Sequence, residues 1–242
     1  MRSSCRTARS GRSVDQSRIR RDAKPFVVLG IDLAGSPRRP TGVCLLRGLS
    51  AHTHVAFGDE DILSVVRHAR PDLVPIDAPL SLPKGRRTIS DRRGEHLRDC
   101  DRELLRRGIR FFPITLGPMR MLTERGLRLK AKIRAMGYRA IECYPGAAQD
   151  VWGIPRQHRD REALLAGLKT LGVRGLTKAA TSDELDAATA ALVGRWALTG
   201  RGEMLGGADG IVIPALTRTA RGTSLRLSTR VRSRPEARDL ET

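Results

Sequence analysis

Phe26-Val27-Val28-Leu29-Gly30-Ile31-Asp32-Leu33-Ala34-Gly35-Ser36 is the stretch on which the reading turns. An apolar run enters a glycine, reaches an aspartate and ends in a turn of small residues. A continuous apolar run closed by a turn signal reads as a buried strand, here over about residues 26–33. Asp32 falls where that strand ends. Ligands of open α/β sheets gather at the carboxyl ends of strands, so a carboxylate there is placed for chemistry. The other reading is an aspartate that caps the turn made by Gly35, Ser36, Pro37 and Pro40.

Working outward, residues 41–47 and 51–57 read as second and third strands, and their short links make the three antiparallel neighbours. His52 and His54 share a face of the third strand, which suits either a metal or the solvent side of an edge strand. Residues 59–70 carry Ile62, Leu63, Val65 and Val66 at helical spacing and stop at Pro71. Asp72–Asp77 then reads as a fourth strand. Because a helix leads to it, it runs parallel to a strand already in the sheet. With strand one as its neighbour, Asp32 and Asp77 lie side by side at one sheet end. Pro75 removes a ladder hydrogen bond, which places a bulge there.

Residues 84–107 hold nine basic and five acidic residues, and the part from Asp91 to Arg107 reads as a helix. Such a segment suits a phosphate backbone or a solvated helix face. A helix over 119–136 follows, broken at Gly126 and closed by Gly137. Residues 138–144 form a fifth strand, with Glu142 near its end. Helical pieces cover about 146–152 and 159–171. Thr181 and Glu184 then fit a capping box that starts a helix running to Leu198. At 100° per residue, Asp183, Asp186, Ala187, Ala190 and Gly194 share its inward face, while Leu185, Leu192 and Trp196 occupy the other side. The helix dipole favours acids in the first turn, which explains one carboxylate better than two on a packed face. Gly210–Pro214 closes the core as a short apolar segment.

The chain has 242 residues, with 45 Lys+Arg against 26 Asp+Glu, a formal charge of +19. Residues 1–24 read as a disordered basic extension, 25–216 as the folded domain and 217–242 as a basic tail. The first and last of these carry +6 and +4. A basic chain attracts polyanions, nucleic acid above all. Only six of the cations are lysine, so genomic base composition is a second source of the charge. Cys5, Cys44, Cys100 and Cys143 lack any metal-knuckle spacing. A reducing cytoplasm is the expected location, with no disulfides and no membrane span.

Asp32, Asp77, Glu142, Asp183 and Asp186 all fall at element ends that can converge. Carboxylates a few ångströms apart repel one another, and divalent cations are the usual remedy. Mg²⁺ or Mn²⁺, as two ions held by Asp32, Asp77, Asp183 and Asp186, would activate a water and stabilise the leaving oxygen of a phosphodiester.

Six segments, taken together and in order, resemble the domain of unknown function 429 family, predicted nucleases of RNase H-like fold. They are Gly30–Ser36, Ile76–Pro83, Arg98–Glu103 with Gly108-Ile109, Phe112-Pro113, Glu142–Gly146 and Asp183–Ala187. The resemblance implies an α/β fold with a mixed five-stranded sheet of order 3-2-1-4-5 and helices on both faces. It also implies metal-dependent cleavage of nucleic acid, with the site at strands one and four. The Asp183-x-x-Asp186 pair is similar to that of RuvC-type resolvases. A non-catalytic nucleic-acid-binding module of the same fold is one alternative. An actin-like or sugar-kinase-like ATP-binding protein is another, since Gly30–Ser36 also resembles a phosphate-binding hairpin. Those proteins use two such lobes, and about 190 core residues supply one. With two Trp, two Tyr and four Phe, no aromatic platform for stacking bases stands out.

Overall fold

The computed structural model describes residues 24–215. The expected leader, all but Lys24, and the basic tail lie outside the described residues. In chain order the elements are β1 (Val27–Asp32), β2 (Thr41–Arg47), β3 (Ser50–Ala56), α1 (Asp59–Ala69), β4 (Val74–Asp77), α2 (Asp99–Arg106) and α3 (Gly117–Ala135). They continue with β5 (Ala140–Cys143), α4 (Pro145–Trp152), α5 (Arg161–Thr170), α6 (Ser182–Leu198), β6 (Gly202–Leu205) and β7 (Ile211–Pro214). The strands form one mixed sheet of order β3-β2-β1-β4-β5-β7-β6. β1, β2 and β3 are antiparallel; β4, β5 and β7 run parallel to β1, and β6 closes the far edge antiparallel.

The expected order of strands one to five is present, but the sheet has seven strands rather than five. Gly210–Pro214, read as a closing apolar segment, supplies β7. β6 escaped the sequence because only Leu205 of its four residues is buried, too short a pattern to show alternation. β3 is the other edge, and His52 is exposed there.

Both faces of the sheet are covered. Leu29, Ile31, Val43 and Ile76 pack under α1 and α3, where Ile62, Val66, Leu129 and Ile133 are fully buried. On the other face Val28, Cys44 and Leu46 pack beneath α5 and α6. α6 lies almost on the strand backbones. A Cβ on Gly30 would stand 2.1 Å from the Ala187 carbonyl oxygen, and one on Gly42 would stand 2.0 Å from that of Asp183. On the helix side, Gly194 leaves room for the Pro75 ring and for Val28. The small-residue face read from the sequence is therefore what lets the helix sit this close, and it carries Asp183 and Asp186 to the sheet.

Three local expectations are corrected. β4 is not bulged at Pro75, because Val28–Leu73 and Ile31–Ile76 pair with the same offset. The Val74 N–H donates to the Arg139 carbonyl just before β5, so the alternate position, Pro75, turns its missing N–H toward β1 and interrupts that ladder alone. The helix expected from Asp91 starts only at Asp99. Before it the chain winds through Gly85 and Gly94 at φ +79° and +101°, and Arg86 ties the Asp91 and Glu95 carbonyls. Finally, α3 passes through Gly126 unbroken. A Cβ there would meet Ala78 and the Pro79 carbonyl at 3.0 Å, so this glycine serves close packing on the chain leaving β4.

Arg125 of α3 is only 1% exposed. Its guanidinium donates to Asp59 Oδ1 at 2.8 Å and to the Ala34 and Phe57 carbonyls at 2.7 Å. One buried cation thereby fixes the loop that follows Asp32. Cys44, Cys100 and Cys143 are buried free thiols. No helix among the described residues is long and apolar enough to cross a membrane.

Candidate active site

β1 and β4 end together, and Asp32 is the register partner of Asp77. Neighbouring strands lie about 4.8 Å apart, so the two side chains leave the sheet side by side on one face. The same row continues through Cys143 of β5 and Val212 of β7. Cys143 and Val212 pack against Ala190 and Val193 of α6, which shows that this face is the one α6 covers. The capping box begins the helix above them. Glu184 N–H donates to Thr181 Oγ1 at 3.2 Å, and Thr181 N–H donates to Glu184 Oε2 at 2.8 Å. Asp183 and Asp186 follow within the first turns. Gln149 of α4 donates to Asp186 Oδ1 at 2.6 Å and to Thr189 Oγ1 at 3.2 Å, which locks the carboxylate in place.

The electrostatics are those of neighbouring carboxylates. Burial pushes the Asp32 carboxyl well above the usual range, and Asp77, Asp186 and Asp183 push it further. Asp77 is raised by burial, then by Asp186 and Glu142. Asp186 is pushed up to about 6, chiefly by burial and against the pull of the Gln149 bond. Asp183 is raised by burial and partly held down by Arg39. Among the described residues no side-chain or backbone donor bonds the Asp32 or Asp77 carboxylates, and no cation pairs with either. Four carboxylates from two strands and one helix thus stand together; Arg39 acts on Asp183 and Arg156 on Asp186, but neither forms an ion pair with them.

Glu142 stands differently. Its register partner is Ile76, not Asp77, so it leaves the sheet on the opposite face. There it accepts from the Leu80 N–H at 2.7 Å and from Arg98 Nη1 at 2.7 Å. Arg98, 5% exposed, also grips Asp101 through Nε and Nη2 at 3.1 and 2.8 Å. Burial raises the Glu142 carboxyl and Arg98 opposes it. One buried guanidinium therefore joins the end of β5 to the start of α2.

A cavity of about 300 Å³ opens beyond the ends of β4 and β5. Asp77, Asp186 and Glu142 line it, and Asp32 and Asp183 do not, although both act electrostatically on the same cluster. The 111–122 segment gives it an apolar wall, and Gln149 and Arg156 are among its polar lining residues. Arg156 is bidentate to Asp150 at 3.1 and 2.6 Å and donates through Nη1 to Tyr144 Oη at 2.9 Å, with the Tyr144 ring 5.4 Å beneath it.

Among the described residues no group of three or more His, Cys, Asp or Glu forms a ready-made metal cage. The donor set suits a hard divalent cation nonetheless. It offers only carboxylate oxygens, and Mg²⁺ keeps several waters and takes one or two carboxylates plus substrate phosphate oxygens. Sequence reasoning missed Gln149 and Arg156. Gln149 sits in the small-residue run after Pro145, where its reach to α6 has no sequence signal. Arg156 is one arginine among many.

The family model described as "Protein of unknown function (DUF429)" matches residues 30–209. The chain belongs to this family. Asp32, Asp77, Glu142, Asp183 and Asp186 all lie inside the matched span. No curated protein matches the sequence. Among solved structures, Thermus thermophilus RuvC is similar at 15% identity and a TM-score of 0.43, over 72% of this chain and 97% of that one. T. thermophilus RuvC in complex with Holliday junction substrate is similar at 16% identity and a TM-score of 0.41, with the same coverage. The fold of the DUF429 chain is RNase H-like, as its own topology shows: three antiparallel strands, then parallel strands on the far side of β1, with helices on both faces.

Proposed function

We propose that this chain hydrolyses phosphodiester bonds in nucleic acid with Mg²⁺ or Mn²⁺ held by Asp32, Asp77, Asp183 and Asp186. The observation that carries the reading is the Asp32–Asp77 pair. Two half-buried carboxylates stand in register on adjacent strands, and among the described residues no protein donor bonds either. Leaving such groups uncompensated costs stability, and a cation removes that cost. A pair of bound divalent ions would supply activation of the attacking water and stabilisation of the leaving oxygen.

The chain's own residues do the rest. Asp32 and Asp77 are held rigidly by the parallel ladder, and Asp186 by Gln149. Arg156, clamped by Asp150 and Tyr144, offers its remaining N–H groups toward the cavity, where a phosphate oxygen suits them. In this reading Glu142 acts through Arg98 and holds no cation. The formal charge of +19 draws a polyanion toward an acidic centre that by itself would repel one.

The test is cleavage of end-labelled single-stranded, duplex and branched DNA and RNA with Mg²⁺, Mn²⁺ or chelator. Cleavage that needs the metal and disappears in Asp32→Asn supports the reading. Absence of cleavage on every substrate, or cleavage that survives Asp32→Asn, overturns it.

A further inference from the structure

The apolar wall of the cavity calls for a different partner from the carboxylates. Phe111, Ile114, Met119 and Leu122 line it, and Phe112 stands at its mouth 72% exposed. A phenylalanine that exposed gains nothing from the fold, and the described chain lays nothing over it. The wall comes from two pieces, the turn after α2 and the first turns of α3, so it is set by the same packing that places Arg125 and Gly126. Gln157, His158 and Arg156 also line the cavity, groups able to hydrogen-bond the edge of a flat polar ring. The same cavity is lined by Asp77 and Asp186 of the carboxylate centre.

We propose that this cavity takes the nucleobase next to the scissile phosphate in an unstacked position, with one face against Phe112. The inference rests on the nuclease reading and narrows its substrate to nucleic acid with an unpaired nucleotide at the cleavage point: a single strand, a bulge or an open junction. A continuous duplex keeps its bases stacked inside and presents none to the pocket. Withdrawing a base costs energy that is smallest where the base is already unpaired, and a π face replaces the lost stacking in a way that tolerates any base. The occupant is a base rather than a protein side chain because the pocket is continuous with the carboxylate centre. An occupant of the pocket therefore sits within one nucleotide of it. The charge of the chain is also that of a polyanion binder. A single exposed aromatic suffices here, which is why counting aromatic residues in the sequence did not reveal it.

The experiment uses the full chain and oligonucleotides of one sequence, as a single strand, a duplex with one bulged nucleotide and an intact duplex. Each carries 2-aminopurine at the unpaired position or its duplex equivalent, with Ca²⁺ replacing Mg²⁺ so that binding is read without turnover. Wild type should bind the single strand and the bulge more tightly than the duplex, with a change in 2-aminopurine fluorescence confined to the unpaired position. Phe112→Ala should weaken the first two by about 5- to 150-fold, leave duplex binding unchanged and remove the fluorescence change. Phe112→Trp should restore it. Because Phe112 is mostly in solvent, these variants stay folded. Equal binding by wild type and Phe112→Ala, or a wild-type preference for intact duplex, overturns the base pocket even where metal-dependent cleavage persists. No binding to any of the three, together with no cleavage, removes the nuclease reading and the pocket with it.

Discussion

Replacing Asp186 by Asn separates a cation site from a structural hydrogen bond. Asp186 has a carboxyl at about 6 against an ordinary value of 3.8. The native state therefore holds its proton more tightly than the unfolded chain does. Stability contributed by the protonated group is present below about pH 4, declines as the pH rises through about 6, and stays lost above it. At pH 7 the charged group costs the native state about 3 kcal/mol. Asn carries no charge, has nearly the same shape, and can still accept through Oδ1 from Gln149 Nε2, the bond now at 2.6 Å. In chelator at pH 7, Asp186→Asn should stabilise the protein by up to about 3 kcal/mol, or about 6–12 °C in Tm for a domain of this size. Its stability should also vary less between pH 4.5 and 7 than that of wild type. In Mn²⁺ the order should reverse, because wild type gains stability from a ligand that binds only the native state. The assay is urea unfolding at both pH values, with chelator and with metal. An Asp186→Asn protein less stable than wild type in chelator, with an undiminished metal shift, would refute the reasoning.

Three other outcomes follow from the packing. Glu142→Gln weakens the grip of Arg98, so urea unfolding should show a loss of roughly 1.5–3 kcal/mol while the metal-induced shift persists; loss of that shift would instead make Glu142 part of the cation site. Gly30→Ala drives a methyl into the Ala187 carbonyl and the Ala191 N–H, so it should cost at least about 1–3 kcal/mol and reduce the metal shift by lifting α6 from the sheet. Arg125→Met leaves Asp59 without its partner and frees two carbonyls, and calorimetry should show a loss of about 3–5 kcal/mol.

The strands that carry the site were legible because their signals are local. The run from Phe26 to Leu33 and the apolar Leu73–Ile76 segment mark β1 and β4, and the helix between them forces the parallel pairing that puts Asp32 beside Asp77. The Thr181–Glu184 capping box and the alanine–glycine face of α6 likewise announce both the helix and its contact. What escaped depends on contacts distant in sequence. The side on which Glu142 emerges is a matter of strand parity, and β5 is buried on both faces, so alternation says nothing. Its bond to Arg98 spans 44 residues. Gly126 looked like a helix breaker because a sequence shows the absence of a side chain but not the backbone packed into the space. Pro75 looked like a bulge because the room for its ring comes from Gly194, over a hundred positions away.

The central claim is that Asp32 and Asp77 hold a divalent cation, and calorimetric titration of Mn²⁺ into the full chain tests it most directly. Both carboxyls are pushed up by burial and by their neighbours, so binding must displace protons and should tighten as the pH rises, with fewer protons released at higher pH. The account predicts saturable binding in wild type with that pH dependence, and its loss in Asp32→Asn and in Asp77→Asn. Binding of equal strength in all three proteins, or none in wild type, contradicts it.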